Sequence, residues 1–65
     1  MAKYPNVTVQ LTGEDGNAFF ILGRISKAMR KEGIRAAEVQ TFMVEAMAGD
    51  YDHLLQTCMA WVDVQ

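Results

Sequence analysis

Basic residues are unevenly distributed along this chain. Five of the six lysines and arginines fall between positions 24 and 35, although the net charge of the chain is −2. If this stretch is helical, at about 100° per residue, Arg24, Lys27 and Lys31 share one stripe, and Phe20 stands at its beginning. Cations pair with phosphate oxygens, and an aromatic ring stacks on a nucleotide base. The stripe therefore indicates a site for a phosphate-bearing ligand.

A purely structural interpretation of the same stripe stays open. Lysines and arginines toward the end of a helix interact favourably with its dipole, and a charged helix face is commonly a solvated one. Phe19 lies off the apolar face of this helix as well, so both Phe19 and Phe20 point toward solvent in a monomer. Subunit contacts would explain the two rings, and one ring can serve both purposes at an oligomeric site.

Two helix starts supply further candidate ligand contacts. Asn17 would add backbone amides and the positive end of the helix dipole to an anion site. The segment 49–53 brings a turn together with Tyr51, which could stack on a base, and His53, which could contact a base or phosphate. Asp52 and His53 diverge by about 100° on a helix, so they are poorly placed for a proton relay. A capped helix start with a half-buried Tyr51 is the structural alternative.

The sequence offers no grouping of residues for catalysis or metal binding. No serine or cysteine is spaced with a recognisable base, and neither a Walker glycine loop nor a complete dinucleotide-binding glycine pattern occurs. His53 and Cys58 are the only histidine and cysteine, so the chain cannot assemble a tetrahedral nitrogen and sulfur set. We therefore predict a non-enzymatic protein with no metal and no cofactor.

The hydrophobic pattern predicts five elements that would position these residues. Period-two alternation is typical of a strand, and apolar residues at helical spacing are typical of an amphipathic helix. The order is β-α-α-α-β, which predicts a single α+β domain over residues 1–65 whose terminal strands pair. The predicted ranges are 7–11 for the first strand, 16–32, 36–48 and 50–59 for the helices, and 61–65 for the last strand.

Caps and core faces follow from the same pattern. We expect Asp15 or Asn17 to cap the first helix, Asp50 to cap the third, and Gly33 to end the first in a left-handed conformation. The methionines after Met1 fall at core spacing and are expected to pack inside. The predicted core side chains of the three helices are Ala18, Ile21, Leu22, Ile25, Ala28, Met29, Val39, Phe42, Met43, Ala46, Leu54, Leu55 and Cys58.

The small size of the chain favours self-association. A domain of 65 residues buries only about 60% of its unfolded surface, and one cysteine excludes an internal disulfide. With a hydrophobic content of 51%, the chain is expected to form a homo-oligomer. A lone thiol fits a reducing compartment, and the longest apolar run, around 18–22, is too short for a bilayer. We therefore expect a cytoplasmic protein with no membrane segment.

From Tyr4 onward the chain resembles a family of short proteins encoded by tailed phages and prophages. The motifs that carry the resemblance are YPNVTVQLTGEDGNAFFILG near the start and AGDYDHLLQTCMAWVDV at the end. The group is similar to small phage sponge proteins that oligomerise and sequester cyclic nucleotide signals of bacterial antiviral defence. This resemblance implies a homo-oligomer in the host cell cytoplasm that binds a cyclic nucleotide.

The leading hypothesis is a non-enzymatic oligomeric module that sequesters a small phosphate-containing ligand, a cyclic nucleotide signal. The predicted ligand-binding residues are Asn17, Phe20, Arg24, Lys27, Lys31, Tyr51 and His53. Two alternatives stay open: a protein–protein module or inhibitor that docks an acidic host protein, and a small nucleic-acid-binding regulator. The overall acidity speaks against duplex nucleic acid, because duplex binding needs a broad cationic surface.

Overall fold

The computed structural model describes residues 2–10 and 17–65. The predicted β-α-α-α-β order and the mixed α+β class are confirmed, and the two strands pair in parallel as a two-stranded sheet. Parallel pairing requires a long crossover connection, and the three helices provide it. None of the described helices is long and apolar enough to cross a membrane. The elements are β1 (Tyr4–Val9), α1 (Ala18–Lys31), α2 (Ala36–Ala46), α3 (Tyr51–Trp61) and β2 (Val62–Val64).

The strand bounds differ from those predicted. β1 starts at Tyr4 and includes Pro5, which the sequence had placed ahead of the strand. The register of the β1–β2 pairing is irregular between Tyr4 and Thr8, and proline is tolerated at edge strands and irregular positions, where its missing N–H costs no ladder bond. β1 ends at Val9 rather than at 11, and α1 begins at Ala18 rather than at 16, because Asn17 is an extended N-cap. Positions 11 and 16 themselves lie outside the described residues.

The ends of α2 and α3 also differ from those predicted. α2 ends at Ala46 rather than at 48, whereas α3 continues past 59 to Trp61, so the last strand begins at Val62. Trp61 is buried in contact with the Phe42 ring of α2, with ring centroids 5.6 Å apart. This packing accompanies an extension of α3 by two residues, which the alternating pattern over 61–65 does not reveal.

The predicted caps are confirmed among the described residues. The Asn17 side chain accepts hydrogen bonds from the amides of Phe19 and Phe20 at 2.9 and 3.2 Å. The Asp50 carboxylate accepts one from the His53 amide at 2.9 Å. Gly33 has a φ of 82°, a left-handed conformation that glycine adopts without steric cost. These caps fix where the helices begin and end.

The core lies between α1, α2, α3 and the sheet. Met29 is buried as predicted, but Met47 and Met59 are 57% and 54% exposed, so the expectation that the methionines pack inside is wrong for these two. Their helical spacing resembles that of core residues, but α2 has ended before Met47, and Met59 lies on the outer side of α3. The buried apolar side chains are Val7, Val9, Ile21, Leu22, Ile25, Met29, Val39, Phe42, Ala46, Leu54, Cys58, Trp61 and Val62.

A polar cluster joins the start of the chain to α2 and α3. The Lys3 ammonium lies 2.9 Å from a carboxylate oxygen of Glu38, and the Tyr4 hydroxyl donates to the same oxygen at 2.7 Å. The Lys3 ammonium also lies 4.4 Å from the centre of the Trp61 ring, and the Trp61 indole N–H donates to Glu45 at 3.2 Å. Charge-assisted hydrogen bonds and cation–π contacts thus hold β1 against the helices.

The protonation of this cluster is linked to folding. The hydrogen bonds from the Tyr4 hydroxyl and the Lys3 ammonium lower the pKa of Glu38 from its ordinary value of 4.5. The hydrogen bond that each of these two donors makes to Glu38 raises its own pKa, that of Tyr4 from 10.0 and that of Lys3 from 10.5. Because the pKa of Glu38 is lowered by folding, its carboxylate stabilises the folded state above about pH 4.5, and this contribution disappears as the pH falls below that value. The two raised pKa values contribute stability that disappears as the pH rises past 10.

We expect Glu38→Gln to remove this pH-dependent contribution. The difference in free energy of unfolding between the native chain and the variant should be largest between about pH 5 and pH 9 and should shrink at both extremes. Urea denaturation across the pH range measures it. A difference that stays constant from pH 3 to pH 11 would contradict the role of the cluster.

Candidate functional site

A groove of about 680 Å³ lies between α1 and the edge of β1 that faces away from β2. Three of the seven predicted ligand-binding residues, Phe20, Arg24 and Lys27, line it. Thr8, Val9 and Gln10 form the strand side. The structure therefore brings the centre of the predicted stripe together with part of the first strand.

The rotation of α1 sets which side chains reach the groove. Ile25 and Met29 are fully buried, and they anchor one face of the helix in the core. Positions i, i+4 and i+7 of a helix lie on one side, so Phe20, Arg24 and Lys27 emerge together next to β1. Burial of the apolar face thereby orients the basic one.

The strand side of the groove is made of polar backbone as well as side chains. The Gln65 amide donates to the Val9 carbonyl at 2.8 Å, so Val9 directs its carbonyl toward β2. Backbone groups of successive strand residues point to opposite sides, so those of Thr8 and Gln10 point to the groove. The Gln10 carbonyl there accepts a hydrogen bond from the Arg24 guanidinium at 2.9 Å.

Arg24 therefore connects the two walls of the groove. Its guanidinium carbon lies 5.1 Å from the centre of the Phe20 ring, within cation–π distance. Contact with Gln10 on one side and Phe20 on the other orients the guanidinium, and its side chain is half-buried. This cation is held in place by the fold, whereas Lys27 is exposed at the groove.

On α1, Phe19 and Gly23 also line the groove, and neither was among the predicted site residues. Phe19 is 81% exposed, and Gly23 follows it by one helical turn. A glycine inside a helix costs about 1 kcal/mol relative to alanine. A Cβ added at Gly23 would meet nothing within 4 Å, so no packing contact requires a glycine there. The off-core position of Phe19 was visible in the sequence, but its place beside a strand was not.

The other predicted site residues lie elsewhere. Asn17 uses its side-chain oxygen to cap α1, and Lys31 lies one turn beyond Lys27, outside the groove lining. Tyr51 lines a separate depression of about 250 Å³ between α1 and the α2–α3 junction. The His53 ring lies 2.8 Å from the Glu45 carbonyl.

The apolar depression that contains Tyr51 borders the groove. Phe19 lines both cavities and so forms the ridge between them. The floor of the depression is apolar, and its rim carries the exposed Met47. The remaining apolar lining consists of Ala18, Leu22, Ala46 and Leu54.

The groove combines cations, aromatic rings and strand-edge amides. Among its described lining residues there is no histidine, cysteine or carboxylate. Cys58 is buried in the core, where burial raises the pKa of its thiol to about 11 and disfavours the reactive thiolate. In the described part of the chain, no group of three or more histidine, cysteine and acidic side chains could hold a metal ion. The chemistry that these residues support is recognition of an anion with a planar group.

No protein-family model, curated protein or solved structure matches the chain. The geometry and chemistry of the groove are therefore the structural basis for assigning a function.

The cap made by Asn17 can be tested separately from ligand binding. Asn17→Ala should lower the free energy of unfolding by about 1 kcal/mol, because the amides of Phe19 and Phe20 lose their acceptor. Asn17→Asp retains an acceptor and should preserve most of the stability. Chemical denaturation measures both variants, and equal losses in the two would contradict the capping role.

Proposed function

We propose that the groove binds a small phosphate-bearing ligand, a cyclic nucleotide signal of antiviral defence, and sequesters it without converting it. The observation that carries the proposal is the convergence of Arg24, Lys27 and aromatic rings in one groove of about 680 Å³. That volume falls within the range of about 300–1,000 Å³ typical of small-molecule sites.

The charge distribution supports a compact anion. The chain is acidic as a whole, with a net charge of −2, yet Arg24 and Lys27 project into one groove and Arg30 and Lys31 extend the positive potential along α1. A localised field of this kind attracts a small phosphate ligand but offers no extended surface for a duplex. The groove therefore favours a signal molecule over a long nucleic acid.

Sequestration fits the side chains that line the groove. The described lining offers hydrogen-bond donors, cations and rings, which bind, and no histidine or carboxylate to transfer a proton. The resemblance to phage sponge proteins supports the choice of cyclic nucleotides as ligand. In this proposal the protein acts in the host cell cytoplasm, a reducing compartment that suits the free thiol of Cys58.

Calorimetric titration with a panel of cyclic dinucleotides tests the proposal. We expect binding by the native chain, and Lys27→Ala should weaken it about 10- to 150-fold, the loss expected for one hydrogen bond to a charged group. Arg24 is a less suitable first target because its guanidinium also donates a hydrogen bond to the Gln10 carbonyl, so its removal would change the groove itself.

Arg30→Ala is the matched control for this experiment. It removes the same charge from the same helix, but Arg30 lies outside the groove lining, so the affinity should change far less. No heat with any cyclic dinucleotide, or equal losses in the two variants, would contradict the proposed site.

The second part of the proposal is that the protein works as a homo-oligomer joined through the apolar depression. Phe19, Met47 and Tyr51 are 81%, 57% and 44% exposed around it. A projecting ring and an apolar hollow thus share one surface, and a two-fold interface requires such self-complementarity. A second copy of the chain is therefore the occupant that this surface fits.

A double substitution tests the association. Met47→Ser with Tyr51→Ser should raise the dissociation constant of the oligomer at least about tenfold, because each side chain loses apolar burial. Val44→Ser is the control, since Val44 is 61% exposed but lies outside the depression. Analytical ultracentrifugation measures the effect, and a native chain that stays monomeric at all concentrations would contradict the interface.

A further inference from the structure

The two phenylalanines of the groove differ in what already contacts them. The Phe20 ring has the Arg24 guanidinium 5.1 Å from its centre, and that guanidinium also binds the Gln10 carbonyl. Phe19 is far more exposed and lines the groove next to Gly23. A planar ligand group can therefore reach Phe19 without displacing a contact between Arg24 and Phe20.

Gly23 determines how much of the Phe19 ring is accessible. Side chains four residues apart on a helix are neighbours, and each leans over the turn that precedes it. A larger side chain at position 23 would lie over the groove beside Phe19. Among the described residues, no atom lies within 4 Å of the position of a Cβ at Gly23, so this part of the groove is open to a ligand as far as those residues are concerned.

We infer that Phe19 and Gly23 form a subsite for the planar ring of a nucleotide base, with the ring stacked on Phe19 above the bare backbone of Gly23. The inference rests on the proposed binding of a phosphate-bearing ligand and specifies where its base lies. It assigns stacking to Phe19, and it leaves Phe20 to orient Arg24.

The position of Lys27 agrees with this arrangement. Lys27 follows Gly23 by four residues, so its side chain leans back along the groove toward Gly23. A phosphate held by the Lys27 ammonium would therefore lie along α1 from a base on Phe19, both within the groove. A nucleoside phosphate carries its ring and its charge in this linear order, so a nucleotide is the ligand class that the subsite fits.

Adenosine 5′-monophosphate and ribose 5-phosphate separate the ring from the phosphate. In NMR titrations of the native chain, the nucleotide should bind about 5- to 150-fold more tightly than the sugar phosphate, the gain expected for one stacked base. Phe19→Leu and Gly23→Leu should each reduce this preference to near one, because the ratio of the two affinities reports the stacked base. Phe20→Leu should retain most of the preference.

The same spectra report whether each variant is folded. Gly23→Leu introduces a better helix former into open space, so the fold should be preserved. Equal affinities of the native chain for the two ligands would overturn the base subsite while leaving phosphate binding intact. A preference that survives Phe19→Leu but is lost in Phe20→Leu would also overturn it, and binding of neither ligand would remove the phosphate site together with the subsite.

Discussion

Burial of one face of α1 is the constraint on which the rest of the structure depends. The chain has few residues with which to build a core, and α1 supplies Ile21, Leu22, Ile25 and Met29 to it. Once these side chains are inside, the helix cannot rotate without exposing apolar surface, which costs about 25 cal/mol for each Å². The basic and aromatic face is consequently presented at a fixed angle beside β1. The core sets the position of α1 beside β1, and the contacts of Arg24 with Gln10 and Phe20 orient its guanidinium within the groove.

The sheet depends on the helices more than on its own ladder. Two parallel strands are barely stable alone, and β2 contributes only Val62–Val64. The pairing is maintained because Trp61, immediately before β2, packs on Phe42 and lies under the Lys3 ammonium at the start of β1. Both ends of the chain are thereby fixed at one place, and the outer edge of β1 stays available to the groove. Just past the end of β1, the Arg24 guanidinium binds the Gln10 carbonyl, so that carbonyl is not free to pair with a further strand.

Much of the architecture could be predicted because local signals determine it. The order of elements, the caps at Asn17 and Asp50, the left-handed Gly33 and the buried faces of the helices all follow from residue type and spacing. The burial of Trp61 within α3 could not be predicted, because its contact with Phe42 joins residues distant in sequence. Exposure of Met47 and Met59 was missed for a related reason, since spacing alone does not show where an element ends or which side another element covers.

The candidate site was only partly predictable. A helical wheel places Phe20, Arg24 and Lys27 on one side, and the structure places them in one groove. The wheel contains no information about which strand lies beside that side, so Thr8 and Gln10 could not be identified. Tyr51 and His53 looked like candidates because polar and aromatic residues cluster at a helix start, yet one lines another depression and the other contacts the Glu45 carbonyl. Residue type suggests which side chains could bind a ligand, but the packing of helices and strands determines which of those side chains lie in the same cavity.

The position of Phe19 on the ridge between groove and depression links the two parts of the proposed function. Phe19 lines the groove, and the same side chain lines the depression proposed to contact a second copy. An exposed side chain loses conformational entropy when it is ordered. A ligand that orders Phe19 in the groove would therefore reduce the conformational entropy that Phe19 still has to lose when two copies associate. Thermodynamic linkage makes the effect reciprocal, so association would strengthen ligand binding by the same factor. If the proposed site and interface both form, Phe19 would couple subunit assembly to capture of the ligand.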